Sequence, residues 1–229
     1  MKACCKHAGS RPQCEELEPR RFLSGSAISI HGSSEQNDSV DVVISRKNVC
    51  YSVNGVNQRT VGLSRRIKEI DIYAGVFDGT DTQGDHVINV QVNAGFCSRI
   101  PIKIWGTDQS VNHISVNEDA PAQISMWGGN DSDNYFEATA SCRRSSVVMH
   151  GGDSSSNHFN FGTNSNTVIG GNDADNIFSS TLIGSRGSIT GGDNSSNVLE
   201  TDDGLKPTGY RVSSNVDIQM TQQTDDQQP

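Results

Sequence analysis

Seven aspartates in a set of short polar stretches are the residues of this chain best suited to bind a metal ion. One stretch reads GGNDSDNYF (128–136), and GGDSSSNHF, GGNDADNIF and GGDNSSNVL follow it along the chain. Carboxylate oxygens are ligands that Ca²⁺ prefers. The sequence therefore predicts a calcium site, with Ca²⁺ as a weakly bound cofactor. The candidate ligands are Asp108, Asp131, Asp133, Asp153, Asp173, Asp175 and Asp193.

The polar stretches recur at a nearly constant interval. Each begins with a glycine, and the successive gaps between these glycines are 22, 23, 19 and 21 residues. An earlier copy begins at Gly32, with Asp38 six residues further on, and an irregular copy passes through Asp85. Such repetition predicts a stack of equivalent units. The glycines are Gly106, Gly128, Gly151, Gly170 and Gly191.

An Asn six residues after each of these five glycines supports a second reading, in which no metal is needed. Identical Asn side chains about 4.8 Å apart in stacked coils can hydrogen-bond along the stack. A neutral amide is also a poorer calcium ligand than a carboxylate. This reading predicts a structural ladder of Asn112, Asn134, Asn157, Asn176 and Asn197.

The acidic residues skip every other unit in each row of the corner. Two residues after the first Gly, for example, Asp108 and Asp153 alternate with Asn130 and Asn172. Carboxylates in adjacent coils would repel by about 1 kcal/mol at a water-like dielectric constant and by about 3.5 kcal/mol at an effective constant of about 20. Alternation doubles their separation to about 9.6 Å. We therefore expect the corner to be stable without calcium and still to attract cations.

Two rows of ring side chains flank the corner. Trp105, Trp127 and His150 each precede the first Gly, and an outward row of rings predicts a platform for sugar rings. The alternatives are that the Trp rings pack on one another or that a loop covers them. A second row is expected on an ordinary solvated strand face, with a metal-binding or pH-sensing role as its alternative. It comprises His86, His113, Tyr135 and His158.

Apolar residues alternate with polar ones on both sides of each corner, which is the period of a β-strand. Ile124 and Met126 precede one corner, and Phe136 follows it. A unit of this size cannot bury its own apolar face, but stacked units can. We therefore predict an all-β fold, a right-handed parallel β-helix (β-solenoid) with coils of about 21 residues.

The chain divides into three predicted parts. Residues 27–204 form the β-helix, in which Asn54-Gly55 marks a hairpin near 48–61 that covers the first coil. Residues 205–229 contain a last strand and a polar tail that we expect to be disordered. Residues 1–26 form a poorly ordered N-terminal segment, whose apolar stretch is too short for a signal-peptide core.

Composition excludes several classes of protein. The 229 residues carry a formal net charge of −9, which disfavours nucleic acid and anionic membranes and favours cations. No run approaches the roughly 18 apolar residues of a membrane span. The six cysteines are too scattered for a disulfide scaffold, so we expect free thiols with one or two bridges at most.

Two resemblances extend this interpretation. The corners resemble the calcium-binding nonapeptide of repeats-in-toxin proteins, G-G-x-G-x-D-x-U-x. The segment LEPRRFLSG (17–25) is similar to the LEPR-XLL segment of bacterial surface and exported proteins, with Phe22 in place of a Leu. Together they imply an exported protein of the cell surface or extracellular matrix, and they do not imply an enzyme. The matching residues are Leu17, Glu18, Pro19, Arg20, Leu23 and Ser24.

The corners depart from the toxin repeat in two ways. Counted from the glycines, the calcium-binding Asp of the repeat falls on Asp133 and Asp175. Counted from the inward apolar residue, it falls on the Asn row instead, so calcium binding depends on which register holds. The third Gly of the repeat is replaced by Asp131, Ser154, Asp173 and Asn194.

The sequence contains no catalytic motif, so we expect no enzyme. It favours a non-catalytic extracellular or surface repeat module with a structural or adhesive role, stabilised by calcium if the glycine register holds. One alternative is a glycan-binding module that uses the Trp platform. Another is a polysaccharide lyase or epimerase, for which Arg143 and Arg144 are the nearest basic residues. The expected partners are cations, surface glycans or other matrix proteins, with no transmembrane segment and no nucleic acid.

Overall fold

A computed structural model describes residues 27–33, 37–75, 83–96, 100–140, 145–162, 165–180, 186–201 and 208–220. In these segments the chain forms strands and no helix, which confirms the predicted all-β class. The strands are β1 (Ala27–His31), β2 (Asp38–Ile44), β3 (Asn48–Val53), β4 (Val56–Gly62), β5 (Glu69–Tyr73), β6 (Asp85–Val92), β7 (Ile102–Trp105), β8 (Val111–Glu118), β9 (Gln123–Trp127), β10 (Asp133–Ala140), β11 (Ser146–His150), β12 (Ser156–Gly162), β13 (Ser165–Ile169), β14 (Asp175–Ser180), β15 (Arg186–Thr190), β16 (Ser196–Thr201), β17 (Tyr210–Val212) and β18 (Asp217–Met220).

The strands form two sheets that run along the stack. The eight-stranded sheet has the order β1-β5-β7-β9-β11-β13-β15-β17, and the ten-stranded sheet has the order β18-β16-β14-β12-β10-β8-β6-β2-β3-β4. Each coil passes through one strand of the eight-stranded sheet, a polar corner and one strand of the ten-stranded sheet. Strands of successive coils pair in parallel, so the predicted β-solenoid is confirmed.

The regular part of the solenoid runs from β7 to β16. Equivalent Asn residues of its coils are 22, 23, 19 and 21 residues apart, close to the predicted coil length. The right-handed winding stays a prediction, which rests on the general preference of parallel crossovers.

The apolar core fills the interior between the two sheets. Alternation places Ile124 and Met126 of β9 and Phe136 of β10 inside, where each is at most 2% exposed. Phe136, Phe159 and Phe178 stack along the axis with ring centroids 5.0 and 5.1 Å apart. Each coil therefore buries its apolar side chains against equivalent ones in its neighbours, and no coil is stable alone.

A hairpin of β3 and β4 lies at the N-terminal end of the stack. β3 pairs antiparallel with both β2 and β4, so the ten-stranded sheet extends past the first coil. Asn54 and Gly55 at the hairpin tip have φ angles of +52° and +68°, as a tight hairpin turn requires. Tyr51, Val53 and Val61 pack against the core, so the hairpin shields part of its end.

The C-terminal end differs from the prediction. The solenoid continues past residue 204, because β17 extends the eight-stranded sheet and β18 extends the ten-stranded sheet. The sequence suggested only one strand here, because the corner between β17 and β18, Ser213–Val216, lacks the glycine pair that marks the four preceding corners. The predicted segment 1–26 and the predicted tail beyond Met220 lie outside the described residues.

Two further features concern membrane crossing and the cysteines. None of the described segments forms a helix with the length and apolar character that a membrane crossing needs. Cys50 is a free thiol, with its Sγ atom 3.4 Å from Thr60 Oγ1. The other cysteines lie outside the described residues.

Glu118 is a carboxyl buried inside the coil. It ends β8, where the register places it between Val92 and Ala140, and it has no exposed surface. Burial raises its pKa from 4.5 to about 7, and a hydrogen bond with Ser145 opposes this rise only in part. The fold therefore favours the protonated carboxyl.

We predict that Glu118 makes stability fall as the pH rises. Its contribution is complete below the unfolded pKa of 4.5 and is lost as the pH rises through about 7. Charging this group in the folded chain costs about 3 kcal/mol. Urea unfolding of Glu118→Gln between about pH 5 and 8 should lack this decline, whereas Glu137→Gln, at an exposed carboxyl, should retain it. Parallel pH curves for wild type and Glu118→Gln would contradict the assignment.

Candidate functional site

The five corner Asn residues form one continuous column inside the solenoid. They are 0–5% exposed, and strand pairing aligns them from coil to coil. The Nδ2 group of each donates a hydrogen bond to Oδ1 of the next, over 2.8–2.9 Å. The linked residues are Asn112, Asn134, Asn157, Asn176 and Asn197.

Each Asn also closes the corner of its own coil. In the coil of Asn134, Oδ1 accepts a hydrogen bond from the Gly129 backbone N–H at 3.0 Å. Nδ2 donates its other hydrogen to the Gly129 carbonyl at 2.8 Å. Both amide hydrogens and both oxygen lone pairs are then used. An aspartate could not fill this position in the same way, because an ionised carboxylate has no hydrogen to donate.

Two interruptions mark the N-terminal part of this column. Strand pairing places Asp38 and then His86 in line with Asn112. Asp38 replaces the amide in the first coil, and Asn54 at the hairpin tip donates to its Oδ1 at 3.0 Å. His86 is 1% exposed, and neither ring nitrogen has a hydrogen-bond partner among the described residues.

At the C-terminal end, an Asn from the last corner closes the stack. Asn215 donates from Nδ2 to the carbonyls of Gly191 and Gly192, at 3.2 and 3.1 Å. The Ser213 hydroxyl accepts a hydrogen bond from the Gly191 N–H at 3.0 Å. The last glycine pair therefore keeps its partners although no regular corner follows it.

The glycine pair is explained by close packing, because neither glycine has a left-handed φ angle. A Cβ on Gly128 would lie 2.6 Å from Cγ of Asn134 in the same coil. A Cβ on Gly129 would lie 1.7 Å from the Thr107 carbonyl oxygen of the preceding coil. The first Gly therefore makes room for the Asn column, and the second lets neighbouring backbones approach.

The position of the toxin repeat's third Gly does have a left-handed backbone, although no glycine occupies it here. The φ angles lie between +50° and +55° in all five corners. Asp and Asn adopt this conformation more readily than most residues. Their exposed side chains project from the edge of the solenoid. The residues are Gln109, Asp131, Ser154, Asp173 and Asn194.

A second ladder runs through the alternating Asp and Asn row. Oδ1 of Asp108 accepts a hydrogen bond from the Asn130 backbone N–H at 2.7 Å, and Oδ1 of Asn130 accepts one from Asp153 at 2.9 Å. The row continues with the Asn172 backbone N–H, which donates to Oδ1 of Asp153 at 2.8 Å. The Asp193 backbone N–H then donates to Oδ1 of Asn172 at 2.9 Å. Asp and Asn serve equally well here, because each presents one oxygen. Charge separation between coils is therefore the physical reason for the alternation.

A third ladder uses serines that the sequence analysis overlooked. The Ser132 hydroxyl donates to the Asn130 carbonyl at 2.8 Å and accepts a hydrogen bond from the Ser110 N–H at 3.1 Å. Ser155 and Ser195 make equivalent contacts. Ala174 interrupts the row. The signal was available, because Ser stands four residues after the first Gly in four of the five corners.

The seven candidate calcium ligands are all exposed along this edge, in three different settings. Asp108 and Asp153 each accept a hydrogen bond from a backbone N–H of the next coil, and Asp193 ends the same row. Asp131 and Asp173 occupy the left-handed position. Strand pairing places Asp133 and Asp175 on either side of Ser156, at the start of their strands. One open groove is lined by Asp131 and Asp133, and another by Asp173 and Asp175. Among the described residues, no group of three or more His, Cys, Asp or Glu side chains is arranged to hold a metal ion.

The candidate sugar platform is a stack of rings. Trp105 and Trp127 stack with centroids 5.1 Å apart, and His150 follows at 5.6 Å. The stack continues through Tyr73 at 4.6 Å to His31 at 4.7 Å, two members that the sequence analysis missed. Interplanar angles of 4–11° mean that each inner ring covers its neighbour's face. A sugar approaching the side of this stack would meet ring edges.

The predicted second ring row was wrong at His86. Strand pairing puts Val87 in line with His113, whereas His86 lies in the buried Asn column. The alternation of Ile88, Val90 and Val92 points every even residue of β6 inward, which is the physical reason. For the same reason the irregular early copy passes through His86 and not through Asp85.

The rest of that row is a stack on the outer face of the ten-stranded sheet. His113 and Tyr135 lie 4.7 Å apart, and Tyr135 and His158 lie 4.9 Å apart. Tyr135 is 38% exposed, so the stack faces solvent. Arg143 and Arg144, the basic residues considered for a lyase or epimerase, lie outside the described residues.

No protein-family model, curated protein or solved structure matches this chain. The resemblances to repeats-in-toxin and LEPR-XLL proteins therefore stay predictions that rest on the short motifs. The solenoid itself rests on the strand pairing described above.

We predict that Ala174→Ser stabilises the protein by about 1 kcal/mol, the net contribution of a typical intramolecular hydrogen bond. The new hydroxyl should donate to the Gly152 carbonyl and accept from the Ser155 N–H. One coil earlier, the Ser155 hydroxyl donates to the Gly129 carbonyl and accepts from the Ser132 N–H in the same way. Urea unfolding midpoints measure the change. Ala138→Ser is the control, because it places the same hydroxyl in the apolar core and should destabilise. Equal destabilisation by both changes would contradict the serine ladder.

Proposed function

We propose that this chain is a non-catalytic repeat module of the cell surface or extracellular space, with a structural role. The observation that carries the proposal is that three rows of corner side chains hydrogen-bond one coil to the next. The Asn, Asp/Asn and Ser rows hold neighbouring coils together through hydrogen bonds to backbone or to the next side chain. Residues used in this way build a stiff stack, and their side chains are engaged in structural contacts.

The ring stack favours the same conclusion over a glycan-binding module. Carbohydrate recognition by stacking needs an exposed ring face. The inner faces of Tyr73, Trp105 and Trp127 are covered by neighbouring rings. The rings are better explained as a further ladder that joins coils of the eight-stranded sheet.

Export to the cell surface is the part of the proposal that rests on resemblance. The LEPR-XLL-like segment and the toxin-like corners support it, and the net charge of −9 is compatible with it. Digestion of intact producing cells with a protease tests the location. Protection of the protein until the cells are lysed would contradict it.

The acidic corner is the proposed cation-binding feature, with weakly bound Ca²⁺ as its ligand. Asp133 and Asp175 are exposed and make no ion pair with a described residue, so their carboxylates are accessible. Flexible coordination by seven or eight oxygens suits Ca²⁺ better than Mg²⁺, which requires tight octahedral geometry. Water would have to supply several of the ligands.

We predict a small rise in melting temperature in millimolar Ca²⁺ relative to chelator. Saturation at about a hundredfold excess over Kd would contribute about 2.7 kcal/mol, and weaker binding less. Asp133→Asn with Asp175→Asn should abolish the rise. Glu137→Gln with Asp217→Asn, an equal charge change at exposed positions outside the corner, should preserve it. Identical wild-type melting curves in Ca²⁺ and chelator would exclude the cation role and leave the structural role intact.

A further inference from the structure

Basic and acidic residues are unevenly distributed along this chain. Residues 45–68 contain six Lys and Arg residues and no Asp or Glu, although the whole chain has 27 acidic and 18 basic residues. The seven corner aspartates defined above, here called the acidic edge, lie in a later part of the chain. Opposite charges are thus concentrated in two different regions.

The fold gathers five of the cations into one exposed patch, here called the basic cap. The turn after β2 carries Arg46 and Lys47, and the connection from β4 to β5 carries Arg65, Arg66 and Lys68. The Leu63 N–H donates to the Lys47 carbonyl at 2.6 Å, which holds the two connections together. All five side chains are exposed.

The basic cap forms no ion pair within the described part of the chain. The one ion pair found there joins Lys103 and Glu69, at 2.7 Å. The five cations of the cap therefore face solvent without a described acidic partner. A patch of this kind raises the local concentration of anionic groups near it.

The cap and the acidic edge cannot meet within one molecule. β2 starts at the corner and ends at the turn that carries Arg46, and β5 starts beside the cap and runs towards the corner. The cap therefore lies on the side of the solenoid opposite the corner, at its N-terminal end. Because parallel strand pairing joins the coils between them, the two charged regions are held apart.

We propose that the basic cap of one molecule docks on the acidic edge of a second copy. The open grooves between Asp131 and Asp133, and between Asp173 and Asp175, admit long cationic side chains. Guanidinium groups form paired hydrogen bonds with carboxylates, so Arg65 and Arg66 suit these grooves. Cap and edge are different surfaces, so the contact is heterologous and can extend into open chains of molecules.

The strength of such an interface should depend steeply on salt. Exposed ion pairs contribute little individually, so several must form together. Screening weakens them once the Debye length, about 10 Å at 0.1 M salt, becomes comparable with their separation. We therefore expect association at low ionic strength that reverses at high ionic strength.

Sedimentation velocity in chelator tests the proposal. The wild-type average mass should rise with concentration at low salt and return to the monomer at about 0.5 M salt. Arg65→Gln with Arg66→Gln removes cap charge, and Asp133→Asn with Asp175→Asn removes edge charge. Each variant should self-associate about tenfold or more weakly than wild type. Arg186→Gln with Arg211→Gln, an equal charge change at exposed positions outside the cap, should behave like wild type.

Mixing the two variants provides the decisive comparison. The edge variant keeps an intact cap and the cap variant keeps an intact edge, so the mixture should form dimers but no longer chains. A wild-type protein that stays monomeric at low salt would overturn the proposal. Association that neither variant weakens, or a monomer that binds only an added polyanion, would overturn it as well. Chelator keeps this result independent of the calcium effect, since either can fail without the other.

Discussion

The hydrogen bond from one corner Asn to the next is the contact on which the rest of this structure depends. It joins coils through buried amides whose donors and acceptors are all used. Inside the corner an unpaired amide would cost more than a formed bond contributes, because no water is available to replace the lost partner. A column of this kind therefore selects one stacking register. A coil shifted by one residue would bury an outward side chain in place of the Asn and would lose its hydrogen bonds.

The other features of the corner follow from keeping these amides close together. Glycines are required where a Cβ would strike the amide or the backbone of the preceding coil. One residue in each corner has a left-handed backbone conformation that turns the chain towards the next strand. Polar residues stand at this position, where their side chains are exposed to solvent. The Asp/Asn row and the serines then satisfy backbone N–H groups that face the next coil. In each row of these five corners the acidic residues are exposed, and a neutral residue at the same position of the next coil separates one charge from the next.

Spacing and alternation made most of this predictable from the sequence. Gly and Asn six residues apart, with apolar residues at period two on both sides, define both the coil and the column. The same rule, applied to Ile88 and Val90, would have placed His86 inside. The error arose because the residues before His86 do not show the Gly-to-Asn spacing. Tyr73 was missed for a related reason, since Ala74 replaces the glycine that marks the ring row. His31 does precede a glycine, Gly32, so the same spacing could have placed it in the row. The extra coil of β17 and β18 was hidden because its corner has no glycine pair at all.

Hydrogen exchange of side-chain amides, followed by NMR, tests most directly whether the Asn column holds the coils together. The corner contains its own reference groups. Asn130 and Asn172 use their oxygens in the outer ladder but are exposed, whereas Asn134, Asn157 and Asn176 are buried. Protection in a folded protein reflects the free energy of opening. We predict that the Nδ2 hydrogens of the buried three exchange about a hundredfold or more slowly than those of Asn130 and Asn172. Equal exchange rates in the two sets would contradict the ladder.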